Sequence, residues 1–126
     1  MNTESNTRLI KMEITRTELK YRFDNVLKFI HHNVEKELNI GLLAGIACIS
    51  EFHFIRVFRD LYGTTPYKYI LKFRIKKARD MISRGNRTYS EISSACGFEN
   101  RQSFRKCFKR ETGLNLTEYS HFRQMK

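Results

Sequence analysis

A short segment near the end of the chain is rich in basic side chains. Between positions 101 and 110, five residues are basic and none is acidic: Arg101, Arg105, Lys106, Lys109 and Arg110. A segment that merely faced solvent would mix the two signs of charge, whereas this one suits contact with an anionic polymer. Gln102 adds a side chain that can both donate and accept hydrogen bonds. The segment therefore predicts an anionic partner, of which nucleic acid is the commonest.

The composition of the whole chain supports this prediction and excludes several other classes of protein. The 126 residues include 24 Lys and Arg against 13 Asp and Glu, a formal net charge of +11, and 40% are hydrophobic. The chain is thus too apolar for a disordered basic tail, and it lacks the apolar run of about eighteen residues that a membrane span needs. Three cysteines without a C-x-x-C pair exclude a disulfide framework and a zinc finger. No secretory signal is visible, so we expect a cytoplasmic protein.

Motifs for catalysis and for cofactor binding are missing from the sequence. It contains no Gly-rich phosphate loop, no G-x-S-x-G, and no paired carboxylates or His-Cys arrangement at a catalytic spacing. The adjacent His31 and His32 are not one helical turn apart, and no Asp or Cys lies at ligand spacing beside them. We therefore expect neither an enzyme nor a metal site, and no cofactor.

Apolar residues at three- and four-residue spacing predict an all-α protein with about seven helices and no strand. A polar N-terminal segment, residues 1–16, can be disordered, and the first predicted helix runs from an N-cap at Thr17 to about Glu37. The other helices are predicted at these positions: Leu42 to Ala47, Ser50 to Gly63, Pro66 to Gly85, Ser90 to Gly97, Asn100 to Gly113, and from a cap at Thr117 onward. Capping residues before these helices and glycines after them mark their ends.

The chain contains an internal repeat at an offset of fifty residues. Ser50 to Gly63 and Asn100 to Gly113 match at the cap, at Phe54 with Phe104, at Arg56 with Lys106, at Phe58 with Phe108, at Arg59 with Lys109, and at the final glycine. A short helix is predicted before each of them, at an offset of forty-nine. Each copy thus predicts a short helix, a tight turn and a longer capped helix. This is the helix-turn-helix unit, whose second helix can enter the major groove of DNA.

The motifs of this repeat and of the helix between its copies resemble those of the AraC/XylS family of bacterial transcription activators. The first is S-x-x-x-F-x-R-x-F-R-x-x-x-G-x-x-P-x-x-Y, from Ser50 to Tyr69. The second is R-I-x-x-A-R-x-M-I, from Arg74 to Ile82. The third is I-x-x-x-x-G-F-E-N-x-x-S-F-x-K-x-F-K-x-x-x-G, from Ile92 to Gly113. The resemblance covers residues 18–123, roughly, and is specific because many positions agree in order and spacing.

The resemblance implies two helix-turn-helix subdomains joined by a long linker helix. We expect the first subdomain in residues 17–65, the linker in residues 66–84 and the second subdomain in residues 85–126. With about seventeen residues before its first helix, the chain is similar to small members of the family that lack an effector-binding domain. The implied protein is a bacterial activator that needs no small-molecule effector and binds double-stranded DNA as a monomer. By the same resemblance it recruits RNA polymerase through the polymerase α C-terminal domain or σ.

The two predicted recognition helices supply two sets of candidate contact residues. Arg and Lys pair with guanine and Gln with adenine in the major groove, where apolar side chains can contact the thymine methyl group. The candidates for base contacts are Phe52, Ile55, Arg56, Arg101, Gln102 and Lys106. The candidates for phosphate contacts are Ser50, His53, Arg59, Asn100, Ser103, Arg105 and Lys109. For the two apolar residues, the alternative is that they cover the linker helix.

Basic residues of the predicted linker helix allow two interpretations. They either contact DNA phosphates or face solvent, and they are Lys72, Lys76, Lys77 and Arg79. Arg74 can instead be structural. The apolar short helix from Leu42 to Ala47 is likewise either part of the core or a docking patch for RNA polymerase or a second copy of the chain.

The three cysteines have different expected environments. Cys107 lies on the predicted apolar stripe with Phe104 and Phe108, so we expect it to be buried. Cys48 and Cys96 flank turns and can be exposed. Cys48 also stands where the family usually has a turn glycine, and a left-handed backbone there would cost about 1 kcal/mol.

Two other functions are compatible with this sequence. A non-specific architectural nucleic-acid-binding protein would bind unrelated duplexes equally, and its binding would vary only with salt. An antagonist would occupy partner proteins rather than DNA. Its activity would survive neutralisation of Arg56, Gln102 and Lys106, whereas that of an activator would not.

Overall fold

The computed structural model describes residues 2–124, and it describes side chains from residue 16 to residue 123. Its α-helices are α1 (Asn2–His32), α2 (Ile40–Ala47), α3 (Glu51–Tyr62), α4 (Pro66–Arg84), α5 (Tyr89–Ala95), α6 (Arg101–Thr112) and α7 (Leu116–Gln124). These residues contain seven helices and no strand, so the predicted all-α fold class is confirmed. In the same part of the chain, no single helix is long and apolar enough to cross a membrane. Only α2 and α3 as a pair, bent by 79°, satisfy that test, and only by length and composition.

The helices belong to two compact units. The first unit consists of the chain up to His32 and of Leu38–Thr65, and it contains α1, α2 and α3. The second unit consists of Asn33–Glu37 and of the chain from Pro66 onward, and it contains α4 to α7. Helix α4, predicted as a linker, thus groups with the helices that follow it.

The core of the first unit is built from apolar stripes on its three helices. Its fully or almost fully buried side chains are Phe23, Val26 and Ile30 of α1, Leu43, Ala44 and Ala47 of α2, and Phe54 and Phe58 of α3. The ring of Phe23 stacks on that of Phe54 with centroids 5.1 Å apart, and it lies 6.3 Å from that of Phe58. Burial of three aromatic rings at one point fixes the rotation of α3 about its axis, because any other rotation would expose them.

The core of the second unit repeats this arrangement with different partners. Its buried residues are Leu71, Ile75, Ala78 and Met81 of α4, Ile92 of α5, Cys96 after it, Phe104, Cys107 and Phe108 of α6, and Leu116 of α7. The ring of Phe108 meets Phe104 at 5.8 Å and Tyr119 of α7 at 5.1 Å, both edge to face. The rotation of α6 about its axis is therefore fixed by Phe104 and Phe108, which correspond to Phe54 and Phe58 of α3.

The predicted ends of α3 and α6 are confirmed. The hydroxyl of Ser50 accepts from the backbone N–H of His53 at 3.2 Å, and the side-chain oxygen of Asn100 accepts from that of Ser103 at 2.8 Å. Each helix ends at a left-handed glycine, Gly63 with φ +69° and Gly113 with φ +80°. Each cap satisfies a backbone donor that the first helical turn leaves without a partner.

The predicted bounds of the first helix are wrong. The backbone is helical from Asn2 rather than from Thr17, and α1 ends at His32 rather than near Glu37. Met1, the first residue of the polar segment 1–16, lies outside the described residues. Apolar spacing detects only the part of a helix that buries a stripe, so the polar first half of α1 gave no signal. Residues 33–37 follow α1 and group with the second unit, in which Arg74 donates to the carbonyls of Val34 and Lys36.

Two predicted caps are also wrong, each by two residues. Helix α5 begins at Tyr89 under a cap by Thr88, not at Ser90, because Thr88 and Glu91 form a reciprocal capping box. Helix α7 begins at Leu116 rather than after Thr117. The side chain of Asn115 accepts from the backbone N–H of Glu118 at 2.8 Å. Each site offers two cap-forming residues two positions apart, and the local hydrogen bonds to Glu91 and Glu118 identify the one that is used.

Candidate nucleic-acid interface

Helix α3 presents a fixed exposed face to solvent. Its buried face carries Phe54 and Phe58, both with no exposed area. On the other side Phe52 is 79% exposed and Ile55 38% exposed, and Arg56 is exposed beside them. Because residues three and four apart are neighbours on a helix, these three side chains form one continuous surface.

Helix α6 presents the equivalent face with different chemistry. Phe104, Cys107 and Phe108 are buried against the core of the second unit. The exposed side chains are Arg101, Gln102, Ser103, Arg105, Lys106, Lys109 and Arg110. The basic side chains of α6 and the amide of Gln102 therefore face solvent, where a ligand can reach them.

All thirteen residues predicted to contact DNA are exposed. Six cap or lie in α3, namely Ser50, Phe52, His53, Ile55, Arg56 and Arg59, and seven cap or lie in α6, namely Asn100, Arg101, Gln102, Ser103, Arg105, Lys106 and Lys109. The two caps use a side-chain oxygen as acceptor, and so the hydroxyl hydrogen of Ser50 and the amide hydrogens of Asn100 can still donate to a phosphate. The structure thus places these residues on two helix faces, and their contacts with DNA stay predictions.

The two helices differ in charge. Helix α3 has two basic residues, Arg56 and Arg59, and two acidic residues, Glu51 and Asp60, so it is formally neutral. Helix α6 has five basic residues and one acidic residue, Glu111, which gives +4. The carboxylate of Glu51 lies against the first turn of α2, since a Cβ atom on Gly41 would be only 2.9 Å from its Oε1. Of these two helices, α6 therefore carries the excess of positive charge.

The turn before each recognition helix contains one left-handed residue. In the first unit this residue is Cys48, with φ 57° and ψ 39°, as its place in the turn predicted. In the second unit it is Gly97, with φ +87°. A Cβ atom on Gly97 would lie 2.2 Å from the carbonyl oxygen of Val34, so this position excludes a side chain, whereas the side chain of Cys48 is exposed.

Basic residues on α4 are mostly engaged within the second unit. Arg74 donates from Nε to the carbonyl of Val34 and from Nη2 to that of Lys36, both at 2.9 Å, so its predicted structural role is confirmed. Burial lowers the pKa of its guanidinium. Lys77 donates to the carbonyl of Ala95 at 3.2 Å and pairs with Glu35 at 3.7 Å.

Three other basic residues of α4 differ in whether the rest of the unit engages them. Arg79 donates to the hydroxyl of Tyr119 at 3.3 Å and lies 5.8 Å from its ring centroid. Lys76 lies over the ring of Phe73, and Lys72 is exposed. The hypothesis that Lys77 and Arg79 reach DNA phosphates is weakened, because internal acceptors already hold both cations.

One of the cysteine predictions is wrong. Cys107 is buried and Cys48 exposed, as expected, but Cys96 is fully buried. Its thiol lies 3.8 Å from the sulfur of Met81, and burial raises its pKa to about 11. The position of Cys96 at the end of α5 suggested a turn residue, whereas packing against α4 draws it into the core. In the part of the chain that the structure describes, no three His, Cys, Asp or Glu side chains are grouped so as to hold a metal.

The structure adds residues that sequence spacing did not single out. Arg87 and Ser90 line an open groove that also includes Arg101, at the entrance to α6. Arg87 lies in the loop between α4 and α5, where helical spacing carries no information, so only the tertiary structure brings it beside Arg101. It is a further candidate for a phosphate contact.

Two units, each with a short helix, a tight turn and a capped second helix with an exposed face, define a tandem helix-turn-helix protein. A family model for a helix-turn-helix domain matches residues 43–121, well over half of the chain. The chain belongs to this family, in its AraC-type branch of DNA-binding transcription regulators.

Curated relatives and solved structures are consistent with this assignment. The chain is 39% identical over 77 residues to the transcriptional activator RclR of Escherichia coli, a match that covers 61% of this chain and 27% of RclR. It is 35% identical over 80 residues to the regulator Rv1931c of Mycobacterium tuberculosis, covering 64% of this chain and 31% of that protein. The chain thus spans about a third of the length of these relatives.

Two solved structures share the fold. The DNA-binding domain of AdpA, crystallised with a target DNA, has a TM-score of 0.77 at 22% identity, over 81% of this chain and 92% of that one. An AraC-type regulator from Chromobacterium violaceum has a TM-score of 0.75 at 23% identity, over 82% of this chain and 93% of that one. At these identities the likeness shows the fold.

Proposed function

We propose that this protein is a sequence-specific transcription activator that places α3 and α6 in successive major grooves of one duplex. The observation that carries the proposal is that both helices of the repeat hold their buried rings inward and present the predicted contact residues outward. Successive major grooves are about 34 Å apart, and two units in one chain allow a monomer to read both.

Base recognition by α6 follows from its first two turns. Gln102 can pair with adenine through its amide, and Arg101 and Lys106 can donate to guanine, because these side chains match the major-groove edges. In α3 the corresponding base contacts are Arg56, with Phe52 and Ile55. Residues near the N-terminus of a recognition helix reach base edges, whereas those further along meet the backbone.

Phosphate contacts supply the affinity that does not depend on sequence. The proposed set is Ser50, His53, Arg59, Asn100, Ser103, Arg105 and Lys109, with Arg87 added by the structure. Each basic contact releases counterions, so binding should weaken steeply as salt rises. The net charge of +11 also favours the second candidate function, an architectural protein that binds any duplex.

Selection of bound duplexes from a random library, at near-physiological salt, separates these two candidates. The wild-type chain should enrich a motif of about 15–20 base pairs with two blocks one helical turn apart. The Gln102→Ala/Lys106→Ala double variant should lose one block and retain the other. Arg84→Ala is the matched control, since Arg84 is an exposed basic residue on α4 that pairs with Asp80 of the same helix. A library without enrichment, with binding that varies only with the salt concentration, would support the architectural protein instead.

Activation is a separate part of the proposal. It is supported by relatives named as activators, RclR and the bifunctional activator and DNA repair enzyme AdaA of Bacillus subtilis, the latter 29% identical over 102 residues. We propose that the bound chain contacts RNA polymerase through its α C-terminal domain or σ. Transcription in vitro from a promoter with the selected site should rise on addition of the chain. Unchanged or lower transcription would identify a binder or repressor rather than an activator.

A further inference from the structure

Two large apolar side chains are exposed on the solvent face of α3. Phe52 is 79% exposed and Ile55 38% exposed, and both lie on the face that also carries Arg56. A large side chain left in water forgoes the free energy that burial would give it, so such residues on a presented surface indicate a ligand with apolar groups.

Neither side chain can turn into the core without unfolding the helix. Phe54 and Phe58 already fill the inward face, and Phe23 stacks on Phe54 at 5.1 Å. Both ends of α3 are capped, so the helix begins and ends at fixed residues. The apolar pair is therefore held outward by the same packing that holds Arg56 outward.

The second unit shows what else these positions can carry. At an offset of fifty residues, Phe52 corresponds to Gln102 and Ile55 to Arg105. Both are polar and exposed in α6. The apolar pair is thus a property of α3 and not a requirement of the helix-turn-helix fold.

We propose that Phe52 and Ile55 contact C5 methyl groups in the major groove, so that the first unit recognises 5-methylpyrimidines. This inference rests on the proposed function and names what α3 recognises. The thymine methyl is the apolar group that base edges present in the major groove. 5-Methylcytosine carries the same group at the same ring position, and uracil lacks it. Arg56, one turn from Phe52, would add a guanine next to the methyl-bearing base.

Replacement of single thymines by deoxyuridine in the selected duplex tests this directly. Affinity is measured for the full chain and for Phe52→Ala/Ile55→Ala. Each uracil in the block read by α3 should weaken wild-type binding about fourfold, as expected for one buried methyl group. The double variant should bind both duplexes equally. Leu61→Ala is the matched control, because Leu61 is a 46% exposed apolar residue at the other end of α3.

A second arm adds the methyl group instead of removing it. Cytosine placed at the sensitive position should bind weakly, and 5-methylcytosine at that position should recover part of the lost affinity. Phe52→Gln, which introduces the residue found in α6, should shift the preferred base there from thymine to adenine. This variant keeps a good helix former at an exposed site, so it tests the inference even if the double alanine variant folds poorly.

The outcomes separate this inference from the proposed function. A selected motif whose uracil and thymine forms bind wild type equally would overturn methyl recognition and leave sequence-specific binding intact. Methyl sensitivity that persists in Phe52→Ala/Ile55→Ala would overturn the assignment to these residues. Loss of transcription activation with unchanged DNA binding in that variant would assign the pair to a protein partner and also overturn it. Absence of any selected motif would overturn the proposed function itself.

Discussion

Helices α3 and α6 are each twelve residues long, begin at a side-chain N-cap and end at a left-handed glycine. Their inward positions are equivalent, with Phe54 and Phe58 in one and Phe104 and Phe108 in the other. Their outward positions differ, because α3 is formally neutral with an apolar pair whereas α6 carries a formal charge of +4.

The inward residues stabilise the fold, whereas the outward residues are available for contacts with a ligand. A buried ring contributes several kcal/mol to stability, whereas most exposed substitutions change stability by less than about 0.5 kcal/mol. The inward positions therefore retain Phe in both copies, and the outward positions are free to diverge. We infer that α6 supplies most of the electrostatic affinity and α3 a more apolar form of recognition.

The largest expected effects concern the shared inward positions. Phe54→Ala and Phe104→Ala each remove a fully buried ring and should lower the free energy of unfolding by about 3–5 kcal/mol. Phe52→Ala, the exposed control, should change it by less than about 0.5 kcal/mol. Urea unfolding followed by circular dichroism measures all three. A cost below 1 kcal/mol in either buried variant would mean that the two cores are not equivalent.

Arg74 is held by two backbone carbonyls within the second unit. Arg74→Ala removes two charge-assisted hydrogen bonds to backbone carbonyls in a half-buried site, and should cost about 2–3 kcal/mol. Arg84→Ala removes an exposed basic residue from the same helix and should cost less than about 1 kcal/mol. Thermal unfolding of both variants provides the measurement. Equal effects would show that the carbonyls of Val34 and Lys36 do not need this donor.

The charge difference predicts a difference in salt dependence. Arg105→Ala/Lys109→Ala should reduce the slope of log K against log salt by about 1.8, since each lost phosphate contact accounts for about 0.9. Arg59→Ala in α3 should reduce it by about 0.9. Fluorescence anisotropy titrations between low and physiological salt give these slopes. An unchanged slope in the double variant would remove both residues from the phosphate contacts.

The smallest expected effect concerns Cys48, in the turn of the first unit, whereas a side chain on Gly97, in the turn of the second unit, should have a much larger one. Cys48→Gly removes the strain of a side chain on a left-handed backbone and should raise stability by at most about 0.5 kcal/mol, because the added entropy of the unfolded chain offsets most of the gain. Gly97→Ala should lower stability, because its Cβ would clash with the carbonyl of Val34. Urea unfolding again measures both changes. A loss of stability in Cys48→Gly would mean that its side chain makes a favourable contact.

Local signals in the sequence were sufficient for much of the fold. Phe spacing, the caps Ser50 and Asn100, and the glycines after them predicted α3 and α6, because these features act within one or two helical turns. The start of α1 could not be predicted in this way, since its first half has no periodic apolar stripe. The choice of Thr88 over Ser90 as a cap depended on a reciprocal bond with Glu91.

The candidate site was also predicted in part. The repeat indicated which helix faces are exposed, and all thirteen proposed contact residues lie there. The burial of Cys96, the engagement of Lys77 and Arg79, and the position of Arg87 beside Arg101 were not predictable. Cys96 is buried against Met81, 15 positions away, and Arg79 contacts Tyr119, 40 positions away. Lys77 likewise pairs with a residue distant in the chain, Glu35. Arg87 lies in a loop, where helical spacing gives no information.

The sequence by itself determined the all-α fold, the repeat and the ends of α3 and α6, because spacing and caps act locally. The tertiary structure decided which basic residues remain available to a ligand, since backbone carbonyls and aromatic rings from distant segments hold Arg74, Lys77 and Arg79. It also decided that Phe52 and Ile55 stay on the exposed face of α3, because Phe23 of α1 packs against the opposite, buried face of that helix.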